Sequence, residues 1–294
     1  MNKVKILLRA FIGNLYKIKV WFHLWFNINP KCSSQIAENL IVSLTSYGRR
    51  VSKCSQYAIF SILKQTIAPE KIILWLDKDK WNDESLPFVL RRIKRWGLLE
   101  VKYCEDVRSF TKLIPALEKY PDKIIITVDD DIYYSANLIE QLYLQHQKFP
   151  EKICAVSYCV PAFNLNHSIC TYSKWNEYRQ TNTMRVDENL LMPQGFAGVL
   201  YPVSAFDTEV LNKEVFLKQS PLADDIWFYV MAIKNNTLRT GIPYAKIKTY
   251  NVDLFRQLMT KDRLHDKNVN DKQNDLQLKK LLQYYNITLS NSHE

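Results

Sequence analysis

The chain has 294 residues, 47% of them hydrophobic, with only 6 Gly and 11 Pro, which excludes a disordered or fibrous chain and leaves one large α/β domain or two small ones with a substantial core. Its 40 Lys and Arg outnumber its 30 Asp and Glu, and the resulting formal charge of +10 draws the protein to polyanions: nucleic acid, anionic lipid or phosphorylated substrates. No zinc-finger spacing and no RNA-recognition signature accompanies that charge, so no nucleic-acid partner is expected.

Residues 1–30 contain no acidic side chain and carry Lys3, Lys5, Arg9, Lys17 and Lys19. Val4, Leu8, Phe11, Leu15, Ile18 and Phe22 step by four and three and form one apolar stripe of a helix. Trp21, Trp25 and Phe26 add interfacial aromatics. The cations interrupt every stretch long enough to span a bilayer, and no small-residue cleavage site follows an apolar core. A basic amphipathic helix lying on an anionic leaflet is therefore expected, against the alternative that the stripe packs on the rest of the protein.

Strand and helix signals then alternate. Leu40–Leu44 reads as a buried strand, followed by a helix capped by Ser52 and ending before Pro69. Lys71–Leu76 is a second strand closing at Asp77; Leu86–Trp96 is a helix stopped by Gly97; Val101–Cys104 is a short strand. Thr111–Tyr120 is expected to be helical despite Pro115, Lys123–Val128 is a strand with three consecutive isoleucines, Ser135 caps a helix carrying Leu138, Ile139 and Leu142, and Ile153–Val160 is again a strand. This alternation implies a mostly parallel sheet with helices on both faces and ligands bound beyond the carboxyl ends of its strands. The expected organisation is a basic helix (1–30), a single catalytic domain (31–260) and a helical tail (261–294). Cys32, Cys54, Cys104, Cys154, Cys159 and Cys170 show no CxxC spacing and several sit in apolar runs, which fits a reduced, cytoplasmic protein.

Polar groups gather where the strands end: Thr45 to Arg50, Asp77, and Asp129-Asp130-Asp131. Successive carboxylates are costly unless a cation neutralises them. Side-chain alternation would send Asp129 and Asp131 to one side, where their hard oxygens suit Mn²⁺ or Mg²⁺. Arg49 and Lys112 are cations available for a diphosphate. Asp224 and Asp225 precede an apolar helix, where one of them could serve simply as its N-cap. Phe196, Trp175 and Trp227 are candidate platforms for sugar faces, and the Gly195–Gly198 turn allows close approach to backbone.

The run Ile124 to Asp131, a strand leading into a DxD motif, resembles GT-A glycosyltransferases, with family 2 and exostosin-like enzymes nearest in character. The resemblance covers roughly Leu40 to Arg239 by order of elements. It implies a Rossmann-like α/β fold of the GT-A type and a nucleotide-sugar donor. In such enzymes the last Asp of the motif holds a divalent metal, here Asp131, with Asp129 and Asp130 holding ribose or the metal's waters. The resemblance places Thr45, Ser46, Tyr47, Arg49 and Lys112 around the nucleotide and Asp77 against the base. It makes Asp225 the base that deprotonates an acceptor hydroxyl, with Asp224 orienting it, an arrangement favouring inversion. His265 is a candidate third metal ligand. The implied activity is hexosyl or hexosaminyl transfer to a glycan or lipid-linked acceptor in bacterial surface polysaccharide synthesis, at the inner face of the plasma membrane. The alternatives are a metal-dependent nucleotidyltransferase or phosphohydrolase, which would also use clustered aspartates, and a non-catalytic glycan- or polyanion-binding protein.

Overall fold

The apolar runs line up side by side in a computed structural model that describes residues 3–30, 32–178, 187–242, 247–253 and 273–290. Strands β1 (Ile36–Thr45), β2 (Ala68–Asp77), β3 (Leu99–Cys104) and β4 (Ile124–Thr127) pair in parallel, with β1 between β2 and β4. Val42 lies beside Ile72 on one side and Ile126 on the other. β6 (Ile153–Ala155), β10 (Val199–Tyr201) and β11 (Arg239–Gly241) complete seven strands in the order β11-β6-β10-β4-β1-β2-β3, with β10 antiparallel to both neighbours. The sheet is therefore mostly parallel.

Because side chains alternate along a strand, β1 feeds two cores. Leu40, Val42 and Leu44 face a layer formed by α3 (Ser55–Leu63), α4 (Phe88–Arg95) and α6 (Leu138–Lys148). Ile41, with Ile73 and Ile125, faces α5 (Ile114–Lys119), α7 (Lys213–Gln219), α8 (Asp224–Lys234) and α9 (Gln273–Tyr284). Helices thus cover both faces, as such aliphatic central strands require, since each buried Leu or Ile is worth about 1.5–3 kcal/mol relative to exposure.

Local departures from the expected elements have local causes. Ser52 lies inside a short helix, α2 (Arg50–Lys53), with its hydroxyl on the Arg49 carbonyl, so it caps nothing. Ser135 does not cap α6 through its hydroxyl, which accepts from the Lys248 N–H instead. Residues 108–119 split into a 3-10 turn (Arg108–Lys112) and α5, with Pro115 in the first turn of α5 where its missing N–H is harmless. The Ile153–Val160 run divides into β6 and β7 (Tyr158–Val160), and β7 leaves the main sheet to pair with β8 (Asn176–Tyr178) and β9 (Met192–Pro193).

The N-terminal helix α1 (Lys3–Trp25) packs on the body with a face other than the expected stripe. Gly13, Val20 and Leu24 are buried, and the Tyr16 ring stacks 4.1 Å from that of Tyr133. Tyr133 belongs to β5 (Ile132–Tyr134), which pairs with β12 (Thr249–Asn251). A Cβ on Gly13 would sit 3.0 Å from the Asn251 carbonyl oxygen, so the close approach of α1 to β12 uses the absent side chain. Phe11, Leu15, Ile18 and Phe22, four members of the stripe, are exposed. The packing alternative is thus half right: the helix docks, but these four stripe residues do not, and the side chains of Val4 and Leu8 lie outside the described residues. Val20→Ala is expected to cost about 0.5–2 kcal/mol in chemical denaturation, from lost methyl burial and the cavity left behind. Ile18→Ala should stay within about 0.5 kcal/mol.

Candidate functional site

The carboxyl ends of β1 and β4 converge on one buried cation. Ser43 in β1 donates its hydroxyl to the Lys112 carbonyl at 2.6 Å and accepts from the Trp75 indole N–H at 2.9 Å, which ties the 108–112 turn to the sheet. Lys112 is 7% exposed, and its Nζ lies 3.3 Å from Asp129 and 3.1 Å from Asp224. Burial alone would lower its pKa, but Asp129, Asp224 and Asp225 outweigh that and hold the ammonium charged. The expectation of a free cation for a diphosphate therefore changes: Lys112 is committed to carboxylates and joins the two acidic sites.

Asp224 and Asp225 open α8, and neither supplies a side-chain cap to it; the N-cap is Ala223. Asp225 accepts instead from the Gly195 N–H at 3.1 Å. A Cβ on Gly195 would stand 2.7 Å from Asp225 Oδ1 and 2.7 Å from Lys112 Nζ, so the turn following β9 must be glycine here for these charges to meet. Burial first, and then the neighbouring Asp224, push Asp225 up to about 7, against the lowering effect of Lys112.

The Asp129–Asp131 turn begins after β4 ends at Thr127, so strand alternation no longer applies to it. Asp129 turns to Lys112, whereas Asp130 and Asp131 are bridged by Arg50 at 2.9 and 2.8 Å. The expected convergence of Asp129 with Asp131 is replaced by that of Asp130 with Asp131. Ser46 donates to the second oxygen of Asp130 at 2.5 Å. Burial pushes Asp130 up to about 7; Arg50 opposes this and Asp131 adds to it. The Tyr134 hydroxyl, which the sequence reading missed, accepts from the Asp129 N–H and donates to the Phe196 carbonyl, both at 2.8 Å, clamping the acidic turn to the Gly195 turn.

The remaining candidates spread around this centre. Tyr47 is exposed and lies beneath the Arg50 guanidinium, 5.3 Å from it. Arg49 pairs with Asp253 at 2.5 Å. The Thr45 hydroxyl is taken by the Trp75 carbonyl. Asp77 ends β2 and is paired with Lys80 at 2.7 Å, which lowers its pKa; no bond links it to the acidic turn. Trp227 is core, its indole bonded to the Val210 carbonyl, and Trp175 is 5% exposed, so neither offers a sugar platform; Phe196 is half-buried. His265 lies outside the described residues.

Among the described residues no three His, Cys, Asp or Glu groups close a metal cage. The site nonetheless fits a hard divalent cation that also takes substrate oxygens. Asp130 and Asp131 already share one cation, the Arg50 guanidinium. Next to them, the Val252 N–H donates to the Asp131 carbonyl and Asp253 Oδ2 is buried without a hydrogen-bond partner. The five aspartates of the two acidic sites also outnumber Arg50 and Lys112.

No family model matches the chain, and no curated protein matches it. Solved structures similar to it include three of S. aureus TarS. Residues 1–349 of TarS in complex with UDP share 13% identity at a TM-score of 0.44, over 69% of this chain and 57% of that one. Residues 1–349 without that ligand share 14% at 0.46, over 83% of this chain and 70% of that one. The TarS structure not limited to those residues shares 15% at 0.44, over 69% and 35%. The chain thus spans little more than half of the first of these.

Removing the shared cation should be costly, because it leaves buried carboxylates unpaired. Lys112→Ala is expected to destabilise the fold by about 3–5 kcal/mol, read as a shift of the denaturation midpoint. A change under about 1 kcal/mol would mean that solvent already screens the cluster.

Proposed function

We propose that this chain is a metal-dependent glycosyltransferase moving a hexosyl or hexosaminyl group from a nucleotide-sugar donor to a hydroxyl of a glycan or lipid-linked acceptor in bacterial surface polysaccharide synthesis. The observation that carries the reading is the pairing of two acidic sites around Lys112 at the carboxyl ends of parallel strands. One follows a central strand with hard oxygens grouped on Arg50; the other holds a carboxylate with its pKa near neutrality. A sugar transferase needs both: counter-charge for a leaving diphosphate and a base for the incoming hydroxyl.

In this reading Asp131 and Asp130 would hold Mn²⁺ or Mg²⁺, with Asp253 beside them, and such an ion would supply Lewis-acid stabilisation of the leaving diphosphate. Arg50, which bridges the same two carboxylates, would offer its guanidinium to phosphate oxygens. Tyr47, exposed beside Arg50, offers a ring face to the base. Asp225 takes the proton of the acceptor hydroxyl as that oxygen attacks the anomeric carbon. Lys112 and the Gly195 N–H keep the Asp225 carboxylate in place and stabilise its charged form. Asp224, fixed by the same lysine, orients the acceptor. A single base opposite the leaving group favours inversion.

The donor half is tested by titrating a panel of nucleoside-diphosphate sugars against the protein with Mn²⁺ and with EDTA. A selective hit that EDTA removes, and that Asp131→Asn weakens tenfold or more by the arithmetic of losing one ionic ligand, supports the reading. Tight binding unaffected by EDTA and by Asp131→Asn overturns the metal assignment.

The acceptor half has a pH signature. A base with its pKa raised to about 7 is active only when ionised, so the transfer rate is expected to rise through pH 7. Asp225→Asn should lower turnover by about 10²–10⁴-fold, remove that limb and leave nucleotide affinity within a few-fold. Because the native pKa lies above the ordinary 3.8, protonation of Asp225 favours the fold. That contribution is complete below pH 3.8 and is lost as pH rises through about 7. The neutral asparagine should therefore melt no lower than the parent at pH 8.

A further inference from the structure

From its exposed helix face we infer that α1 seats the protein on an anionic bilayer surface, lying in the plane of the interface while its opposite face stays packed on the body. No helix among the described residues is long and apolar enough to cross a membrane, so the contact is a surface one. The inference is independent of the sugar-transfer reading.

Two faces of one helix are occupied differently. Gly13, Tyr16, Val20 and Leu24 face inward against β5, β12 and α3. Phe11, Leu15, Ile18, Trp21, Phe22 and Trp25 face outward, each between 48% and 67% exposed, and Phe26 and Ile28 continue the patch beyond the helix end. Trp21 and Trp25 stack on each other at 4.9 Å, and Phe22 and Phe26 lie 4.6 Å apart, so the outer face presents two aromatic pairs rather than scattered side chains. From Phe11 to Trp25 the exposed face runs about 21 Å along the helix. An apolar face of that length is more than ordinary surface roughness and marks a contact.

Charge selects the occupant. The first acidic residue of the chain is Glu38, whereas six Lys and Arg precede it. At the carboxyl end of α1, the Arg92 guanidinium donates to the carbonyls of Leu24 and Trp25, which brings the basic helix α4, with Arg91, Lys94 and Arg95 exposed, against the same end. A second copy seated face to face would bring these cations together with no carboxylate from either α1 to offset them. Anionic headgroups answer that charge, and the acyl boundary takes the aromatic face, with tryptophans at the level where they partition best. Tyr16, near the middle of the helix, lies against β5, which directly follows Asp131, so docking would hold the acidic turn at a fixed height above the leaflet.

The test is flotation of the full chain with vesicles of phosphatidylcholine alone or with added phosphatidylglycerol, at low and high salt, beside melting curves and sedimentation of the free protein. The protein is expected to float with the phosphatidylglycerol vesicles only and to be released by high salt. Ile18→Glu and Phe22→Glu should each lower the bound fraction about tenfold or more, with melting temperatures little changed, because both side chains are more than half exposed. Deleting residues 1–29 is the poorer test, since it also removes the packed face. Wild-type protein that does not float overturns the inference. So does flotation that survives both Glu substitutions. Self-association abolished by Ile18→Glu, without flotation, would assign the face to a second copy and overturn it as well.

Discussion

A single ammonium group, that of Lys112, sits where four segments distant in sequence meet: the 108–112 turn, the Asp129–Asp131 turn, the Gly195 turn and the start of α8. In water such a group would be a weak, mobile partner. Here it is buried beside three aspartates, which outweigh the cost of its burial and hold it charged. The architecture serves this meeting. Ser43, in the middle of the sheet, anchors the Lys112 backbone, and Gly195 omits a side chain so that Asp225 and the lysine come together. Tyr134 then fastens the acidic turn to the Gly195 turn from the other side.

The charges divide into compartments. Lys112 serves Asp129, Asp224 and Asp225; Arg50 serves Asp130 and Asp131; Arg49 serves Asp253. Lys112 and Arg50 each face more than one carboxylate, and burial together with this excess pushes Asp130 and Asp225 up to about 7. The cost of burying such an acidic excess is offset by the apolar packing of the flanking sheet and helices. The same rigidity reaches α1, whose Tyr16 stacks on the residue preceding Tyr134. The helix that presents an apolar face outward therefore also buttresses the acidic turn.

Much of the fold was legible because aliphatic runs bounded by polar residues have few other uses: β1, β2 and β4 fall on the expected segments, and α4 stops two residues before Gly97, whose φ of +106° favours glycine. The parallel order followed from helices lying between strands. The site was legible as to place, since polar residues cluster where strands end. Its wiring was not. Alternation was extended past Thr127, where the strand had already stopped, and so grouped Asp129 with Asp131. Nothing local marks Lys112 as buried or Asp253 as its neighbourhood's spare carboxylate, because both depend on partners far away in sequence. Gly195 carried a signal of close approach, but toward charges of the same chain. In α1 the long apolar stripe overshadowed the shorter inward face of Gly13, Tyr16, Val20 and Leu24, which includes a glycine and a tyrosine that periodicity weighs lightly.

Which bond of a donor this site breaks separates the chemistries its aspartates could serve. A sugar transferase cleaves between the anomeric carbon and its oxygen, whereas a phosphohydrolase or nucleotidyltransferase built on the same aspartates cleaves at phosphorus. Slow donor hydrolysis in ¹⁸O-labelled water, followed by mass spectrometry of the released nucleotide, separates the two without knowledge of the acceptor. The expected result is an unlabelled nucleoside diphosphate. Label in a phosphate of the released nucleotide, or release of a nucleoside monophosphate, would contradict the assignment of Asp225 as the base for a hydroxyl attacking carbon.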